Sequence, residues 1–173
     1  MRHRELLHRQ AQGNPIRLGA SVAGWMGSGF VAQMAHTPGM ELAVLASADP
    51  GAARQMLLAA GVDAADIVEA EAAGPAMDAL RAGKRVVTAS LALPAQVEAV
   101  DLVTDVTWSP AIGAEVAYHA IQHGKDVVLV NIEADVTVGR VLSRLAAEQG
   151  VLYTVSSGDE PGCLMELYDF ARC

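Results

Sequence analysis

Short apolar runs alternate with longer segments of helical periodicity along most of this chain. The apolar runs are 16–22, 41–47, 85–89, 101–107, 126–131 and 151–155. Runs of this kind are typical of parallel strands that are covered on both faces. Helical spacing of apolar residues follows four of them, at 25–36, 50–60, 110–122 and 138–148. The alternation predicts an α/β protein with a doubly wound parallel sheet and helices on both faces.

Three stretches have weaker patterns. Residues 2–12 predict a short polar helix that packs on the outside of the domain. The Ala- and acid-rich residues 62–83 show helical character only over 76–82, and 91–100 fits either a loop or a short helix after Pro94.

A last helix is predicted to start near Cys163, after a turn-rich loop over 156–162. Its apolar residues predict an exposed face, and with it a homo-oligomer or another association through this helix.

The segment 16–29, IRLGASVAGWMGSG, joins the first strand to a glycine turn and a helix. The three glycine positions of the Gly-x-Gly-x-x-Gly pattern are occupied here by Val22, Gly24 and Gly27, so the first glycine is replaced by valine. Gly24 would let a pyrophosphate approach the backbone, and Gly27 would let helix and strand pack closely. The pattern favours a Rossmann-type nucleotide site formed by Val22, Ala23, Gly24, Trp25, Met26 and Gly27, with a plain strand–helix turn as the alternative.

The position about 20 residues after the glycines bears on cofactor choice. It is Ser47, where an acidic residue usually binds the adenosine ribose. Asp49 is close but is better explained as the cap of the next helix. Ser47 removes a repulsion against a 2′-phosphate and so favours NADP over NAD, although Arg54 would have to reach back from its helix.

The remaining loops at this edge of the sheet carry candidate chemistry. Trp108 would either cover a bound cofactor, block its binding, or pack against the edge of the sheet. Glu133 and Asp135 follow the predicted strand 126–131, and Asp159 and Glu160 follow the predicted strand 151–155. Paired carboxylates can act as general acid and base, or they can bind a substrate. The alternative is helix capping by Asp135, Thr137 or Asp159.

A metal site is not predicted. His119 and His123 have the spacing of a metal pair on one helix, but no third ligand is evident, and a solvated helix face explains them better.

Composition narrows the class of protein. A length of 173 residues suits one domain, and a net charge of −8, from 12 basic and 20 acidic residues, argues against a nucleic-acid partner. Two cysteines do not make a disulfide framework, which favours the cytoplasm. No apolar run has the length of a membrane span, so a membrane partner is not expected.

The quoted motifs resemble a known family. IRLGASVAGWMGSGFVAQMAHTPGMEL, VDLVTDVTWSPAIGAEVAYHAI, GKDVVLVNIEADVTVG and YTVSSGDEPG look like the homoserine dehydrogenase-like oxidoreductases with a C-terminal SAF domain, a group that includes enzymes similar to 1-deoxy-D-xylulose-5-phosphate reductoisomerase. The NIEADVTVG and GDEP segments are the most specific parts. Such enzymes are NAD(P)-dependent and considerably longer.

The resemblance implies roles for particular residues. It places Gly24 and Gly27 at the pyrophosphate and Ser47 at the adenosine ribose. It places Thr107 and Trp108 near the nicotinamide ribose, and Glu133 and Asp159 toward a substrate. The chain departs from the family at Val22, at Trp108 and in lacking a lysine near Glu133, which argues against homoserine as the substrate.

The resemblance also implies a domain organisation and an activity. A helix over 1–14 precedes a cofactor domain at 15–158, and 159–173 begins a truncated substrate or dimerisation region. We expect hydride transfer between NADP or NAD and a small polar substrate, with the isolated chain incomplete. The alternative is a degenerate, non-catalytic Rossmann module for interaction or regulation.

Overall fold

A parallel sheet of seven strands organises the part of the chain that the computed structural model describes, residues 2–158 and 162–172. In chain order the strands are β1 Ile16–Val22, β2 Met40–Ala46, β3 Ile67–Glu69, β4 Arg85–Thr88, β5 Leu102–Val106, β6 Asp126–Leu129 and β7 Tyr153–Val155. Their spatial order is β3-β4-β2-β1-β5-β6-β7, and every pairing is parallel. The chain therefore winds outward from β1 in both directions.

Eight α-helices connect or flank these strands within the same residues. They are α1 Arg2–Ala11, α2 Gly24–Ala35, α3 Pro50–Ala59, α4 Ala73–Arg81, α5 Leu93–Gln96, α6 Pro110–Gln122, α7 Ile132–Gln149 and α8 Gly162–Arg172. Buried residues of α2 and α3 join one apolar cluster, and those of α4 to α7 join a second. These clusters cover opposite faces of the sheet, which confirms the predicted fold class.

The central strands show why the apolar runs are nearly continuous. Successive side chains of a strand point to opposite faces of the sheet. Val44 and Leu45 on β2 are both fully buried, one in each cluster. A strand between two layers of helices thus needs apolar residues at every position, and the usual alternation with polar residues disappears.

Helix α1 packs on the outside of the domain, as predicted. The Gln10 side chain accepts a hydrogen bond from the Gly39 backbone N–H at 2.8 Å. Gly39 has a φ of +73°, and its Cα faces the backbone of Leu6 so closely that a Cβ has no room. The turn before β2 therefore needs glycine for two separate reasons.

Two sequence predictions fail at element boundaries. The helix predicted over 138–148 begins earlier, since α7 starts at Ile132, six residues before the predicted start. The edge strand β3 and the 3₁₀ turn Ala64–Asp66 before it were not predicted, because three residues are too few to show a periodicity.

The C-terminal helix α8 exposes its large apolar side chains, which include Leu164, Met165, Leu167, Tyr168 and Phe170. The exposed face agrees with expectation, whereas association through it stays a prediction. No helix among the described residues combines the length and the apolar character that crossing a membrane would require.

The contact between α6 and α7 gives a stability test at Gly113. A Cβ at this position would lie 2.7 Å from the Ala134 Cβ and 2.8 Å from the Asn131 Nδ2. We expect Gly113→Ala to lower the free energy of unfolding by about 1–3 kcal/mol through overpacking, as measured by urea denaturation.

The matched control is Gly29→Ala, because Gly29 lies inside α2 with open space where its Cβ would stand. That variant should be more stable by about 0.5–1 kcal/mol, the usual gain in a helix interior. Equal effects of the two substitutions would contradict the close approach of α6 and α7.

Candidate functional site

A crevice lies where the strand order reverses, between the carboxyl ends of β1 and β5. Ligands of open α/β sheets bind at such a switch point. The cavity there has a volume of about 230 Å³ and is lined by Ala23, Trp25, Met26, Val106, Thr107, Trp108, Val130, Ile132 and Glu133. It is smaller than the roughly 300–1,000 Å³ of pockets that enclose a drug-sized ligand, so it fits one ring system rather than a whole dinucleotide.

Helix α2 begins at this crevice without a side-chain cap. Its N-cap residue is Ala23, and its first turn, GWMG, contains no acidic residue. The neighbouring helices at the same edge are capped: Asp49 caps α3, Ser109 caps α6 and Asn131 caps α7. Since the first N–H groups of a helix have no intrahelical acceptor, α2 presents unsatisfied donors and a positive dipole end to the crevice. Helix α4 also lacks a side-chain cap, but it follows the edge strand β3.

The two glycines have different structural roles. Gly24 has a φ of +60°, in the left-handed region that favours glycine, so it forms the turn into α2. At Gly27 a Cβ would lie 3.0 Å from the Cβ of Val22, so its missing side chain brings the helix close to β1. The packing role predicted for Gly27 has a direct counterpart here.

Val22 lies at the end of β1, directly before the glycine turn. It is the last residue of β1, only 1% exposed, and its side chain belongs to the core under α2 and α3. Its φ is not positive, because the turn is made two residues later at Gly24. The valine side chain therefore packs beneath the turn and does not line the cavity, and a contact of Val22 with a cofactor stays a prediction.

The indole of Trp108 lies against Gly24. A Cβ built on Gly24 would be 3.0 Å from Cζ3 of this ring. Trp108 is 71% exposed and Trp25 is 81% exposed, and both line the crevice. The ring is therefore available at the crevice, and whether it covers a cofactor, blocks one or only packs on Gly24 stays open.

A buried polar network supports the floor of the crevice. The Asp105 Oδ2 accepts hydrogen bonds from Thr107 Oγ1 at 3.0 Å and from Asn131 Nδ2 at 2.8 Å. The same Asn131 amide donates to the Ser109 carbonyl at 2.9 Å, and its Oδ1 accepts from the Ala134 N–H at 2.9 Å. One side chain thus links β5, the loop that carries Trp108, and the start of α7.

Asp105 is fully buried, and its other oxygen, Oδ1, has no hydrogen-bond partner among the described residues. Burial raises the pKa of this carboxyl above its ordinary value, and the hydrogen bonds from Asn131 and Thr107 only partly oppose the shift. Ser21, the residue paired with Asp105 across β1 and β5, is also buried, and its hydroxyl lowers the pKa of Asp105 in the same sense as those hydrogen bonds. Sequence reasoning missed this group; an Asp in the interior of the apolar run 101–107 was the available signal.

The two carboxylates after β6 separate rather than pair. Glu133 lies exposed in the first turn of α7 and lines the crevice. Asp135 accepts a hydrogen bond from the Tyr153 hydroxyl at 2.8 Å. Burial and the Asp135 carboxylate both raise the pKa of Tyr153. Asp135 is thus held by β7, and it is not the helix cap either, because Asn131 is. Asp159 and Glu160 lie outside the described residues.

The region after β2 is built around Asp49 and Ser47. Asp49 caps α3 through the Ala52 N–H at 3.0 Å, as expected. Ser47 is 8% exposed, and its Oγ accepts from the Asp49 N–H at 3.3 Å. Arg54 is turned away, since its guanidinium donates to the Ile67 and Ala64 carbonyls at 2.9 Å each. Arg54 therefore does not reach the ribose position.

The two histidines of α6 have protein partners. His119 faces Glu115 at 3.7 Å, and the His123 Nδ1 lies 2.8 Å from the His119 carbonyl at the helix end. Among the described residues no group of three or more His, Cys, Asp and Glu side chains is arranged to hold a metal ion. The helix-face explanation agrees with these contacts.

The raised pKa of Asp105 gives a prediction about pH and stability. The unfolded carboxyl ionises near 3.8, whereas the buried one holds its proton to higher pH. The contribution of Asp105 to stability is therefore present below pH 3.8 and is lost as pH rises through the raised folded-state pKa. Asp105→Asn has the same shape and does not ionise, so its free energy of unfolding relative to wild type should rise across that window and then level off.

Thr107→Val is the control, because it removes one donor but keeps the carboxyl. It should retain the pH-dependent loss in urea titrations taken from pH 3 to pH 8. Wild-type and Asp105→Asn stability curves that run parallel over this range would show that Asp105 ionises alike in the folded and unfolded states.

The fold is shared with solved oxidoreductases. A scyllo-inositol dehydrogenase from Lactobacillus casei, solved with NAD(H) and scyllo-inositol, aligns over 91% of this chain and 42% of its own, with 14% identity and a TM-score of 0.62. Biliverdin reductase from Synechocystis, solved with biliverdin and NADP+, aligns over 82% and 38%, with 21% identity and a TM-score of 0.53. An NAD binding oxidoreductase from Klebsiella pneumoniae aligns over 82% and 34%, with 16% identity and a TM-score of 0.55.

These similarities establish the Rossmann-like fold of the chain. The chain spans between 33% and 42% of the length of the solved structures. No protein-family model matches it, and no curated protein matches it. The structural neighbours are thus oxidoreductases as a class, and the resemblance to the homoserine dehydrogenase-like family stays a prediction.

Proposed function

We propose that this chain is the NAD(P)-binding domain of an oxidoreductase. The observation that carries the proposal is the uncapped, acid-free start of α2 at the switch point of the sheet, with Gly24 at its first position. An anion is favoured there by free N–H groups and by the helix dipole. Structural neighbours solved with NAD(H) and NADP+ support the choice of a dinucleotide.

Each part of the crevice has a role in this proposal. The backbone around Gly24 holds the pyrophosphate, and Gly27 lets α2 approach β1. Ser47 faces the adenosine ribose, and Thr107 with Trp108 lies at the nicotinamide ribose. The contributing residues are Ala23, Gly24, Trp25, Met26, Gly27, Ser47, Thr107 and Trp108.

The nicotinamide, when bound, supplies the hydride chemistry. Glu133 stands exposed at the crevice, where its carboxylate can hold a proton or a substrate hydroxyl. We also propose Asp159 as a second carboxylate that faces the substrate, because it lies in the GDEP segment.

The proposed substrate is small and polar, such as a hydroxy or oxo acid or a sugar phosphate. The family proposal, homoserine dehydrogenase-like, rests on the NIEADVTVG and GDEP segments.

NADP is the preferred cofactor in this proposal, with NAD as the alternative. The support is the neutral Ser47 at the ribose position, where an acid would repel a 2′-phosphate. Arg54 gives no support, because both of its terminal nitrogens bind backbone carbonyls. The preference for NADP therefore depends on the absence of a carboxylate that would repel the 2′-phosphate, and not on a cationic side chain that would bind it.

Titration with reduced cofactor tests the proposal directly. Trp25 and Trp108 both line the crevice, so a bound nicotinamide should quench their emission and accept energy from them. We expect saturable quenching with NADPH and NADH, measured by fluorescence and checked by calorimetry. Nicotinamide mononucleotide, which lacks the pyrophosphate and the adenosine, is the control and should bind more weakly. No heat and no quenching up to millimolar cofactor would contradict the proposal.

Cofactor preference is tested at Ser47. Ser47→Asp places a carboxylate at the ribose, and the ratio of NADPH to NADH affinity should fall by about tenfold or more through like-charge repulsion. Ser47→Asn has nearly the same shape without the charge, so it should leave the ratio close to wild type. Equal ratios for the two variants would show that residue 47 does not face the 2′ position.

A second candidate function is a degenerate Rossmann module for interaction or regulation. The observation in its favour is the Trp108 ring on Gly24, which covers part of the surface a pyrophosphate needs. This function predicts no cofactor binding by the wild type or by variants that shorten Trp108. The two functions are therefore separated by whether the exposed Gly24 surface binds a dinucleotide.

A further inference from the structure

The edge of the Trp108 ring occupies the space that the absence of a side chain at Gly24 creates. A Cβ on Gly24 would lie 3.0, 3.8 and 3.9 Å from the ring atoms Cζ3, Cε3 and Cη2. Gly24 opens α2, whose first N–H groups have no side-chain acceptor. An anion that approaches these donors over Gly24 therefore meets the indole first.

The backbone on either side of Trp108 is anchored. Thr107 donates its hydroxyl hydrogen to Asp105 at 3.0 Å, and the Ser109 carbonyl accepts from the Asn131 amide at 2.9 Å. The Ser109 hydroxyl in turn accepts from the Ile112 N–H at the start of α6. The position of the Trp108 Cα is thus held on both sides, and movement of the whole loop would break these partly buried hydrogen bonds.

The ring itself is free of such constraints. Trp108 is 71% exposed, so rotation about its side-chain bonds gives up little buried area. Exposed side chains change rotamer in picoseconds to nanoseconds. Access to Gly24 can therefore be controlled by one side chain while the frame below it stays fixed.

We propose that Trp108 is a side-chain gate over the pyrophosphate position of this crevice. With the ring on Gly24 the site is closed, and a dinucleotide binds only after the indole swings aside toward the nicotinamide end. The apparent affinity is then reduced by the fraction of molecules with the gate open. This inference rests on the proposed cofactor-binding function and adds a residue that limits it.

ADP-ribose is the probe for this gate, because it contains the pyrophosphate and the adenosine but no nicotinamide that could stack on the indole. Trp108→Ala removes the ring, and calorimetry should show ADP-ribose binding about three- to tenfold tighter than to wild type, as expected when a closed state is removed. Trp108→Phe keeps a smaller ring and should give an intermediate affinity.

Tyr118→Ala is the matched control. Tyr118 is an exposed aromatic on α6, eight residues beyond its first residue and outside the crevice lining. Its removal should leave ADP-ribose affinity unchanged, and circular dichroism should show the same fold for all variants.

The outcomes separate the gate from the underlying function. Equal affinity of wild type and Trp108→Ala overturns the gate but leaves the cofactor site in place. Weaker binding by Trp108→Ala also overturns the gate, because the ring would then be a contact surface for the ligand. No binding by either folded protein overturns both proposals, since the uncovered Gly24 surface would have no affinity for a pyrophosphate.

A second readout follows the ring directly. The chain has two tryptophans, so Trp25→Phe leaves Trp108 as the single indole. Saturation with ADP-ribose, with excitation beyond the adenine absorption band, should shift or change its emission as the ring leaves Gly24. Unchanged emission at saturation, established by calorimetry on the same variant, would overturn the movement of the ring.

Discussion

The side-chain amide of Asn131 connects the parts of the molecule that meet at the crevice. Its nitrogen donates to Asp105 at the end of β5 and to the Ser109 carbonyl, and its oxygen caps α7 at Ala134. Asn131 is 1% exposed, and leaving one partner of a buried hydrogen bond unsatisfied costs about 1–3 kcal/mol. The loop that carries Trp108 and the helix turn that carries Glu133 therefore hold their relative positions through this one group.

The same caps explain why the free N–H donors at the crevice are those of α2. Asp49, Ser109 and Asn131 satisfy the starts of the three neighbouring helices at the carboxyl edge of the sheet. Ala23 has no side-chain acceptor, so the first N–H groups of α2 have no side-chain partner at the crevice between β1 and β5. A sheet of this topology offers one central crevice, and the uncapped helix starts at it. Position in the fold, and not the glycines alone, makes this turn a candidate anion site.

The sequence pattern predicted an element correctly where residues within that element specify it. The predicted strand over 16–22 and helix over 110–122 coincide with β1 and α6, because a buried run and a proline after a capping serine specify them locally. The start of α7 was misplaced because Asp135 and Thr137 were candidates for its cap, which put the first helical turn too late. The stronger signal was Asn131 followed by acids in the first helical turn, where the helix dipole favours them.

The sequence by itself determined the parallel sheet, the two layers of helices and the glycine turn at 24–27, because buried strands and helix starts have residue requirements that act within a few positions. Only the tertiary structure decided what surrounds that turn. It buried Val22 in the core, tied Asp135 to Tyr153, engaged Arg54 with backbone carbonyls and laid Trp108 on Gly24. Those contacts join residues from different strands and loops, and no local pattern specifies which side chains meet when the sheet brings its carboxyl ends together.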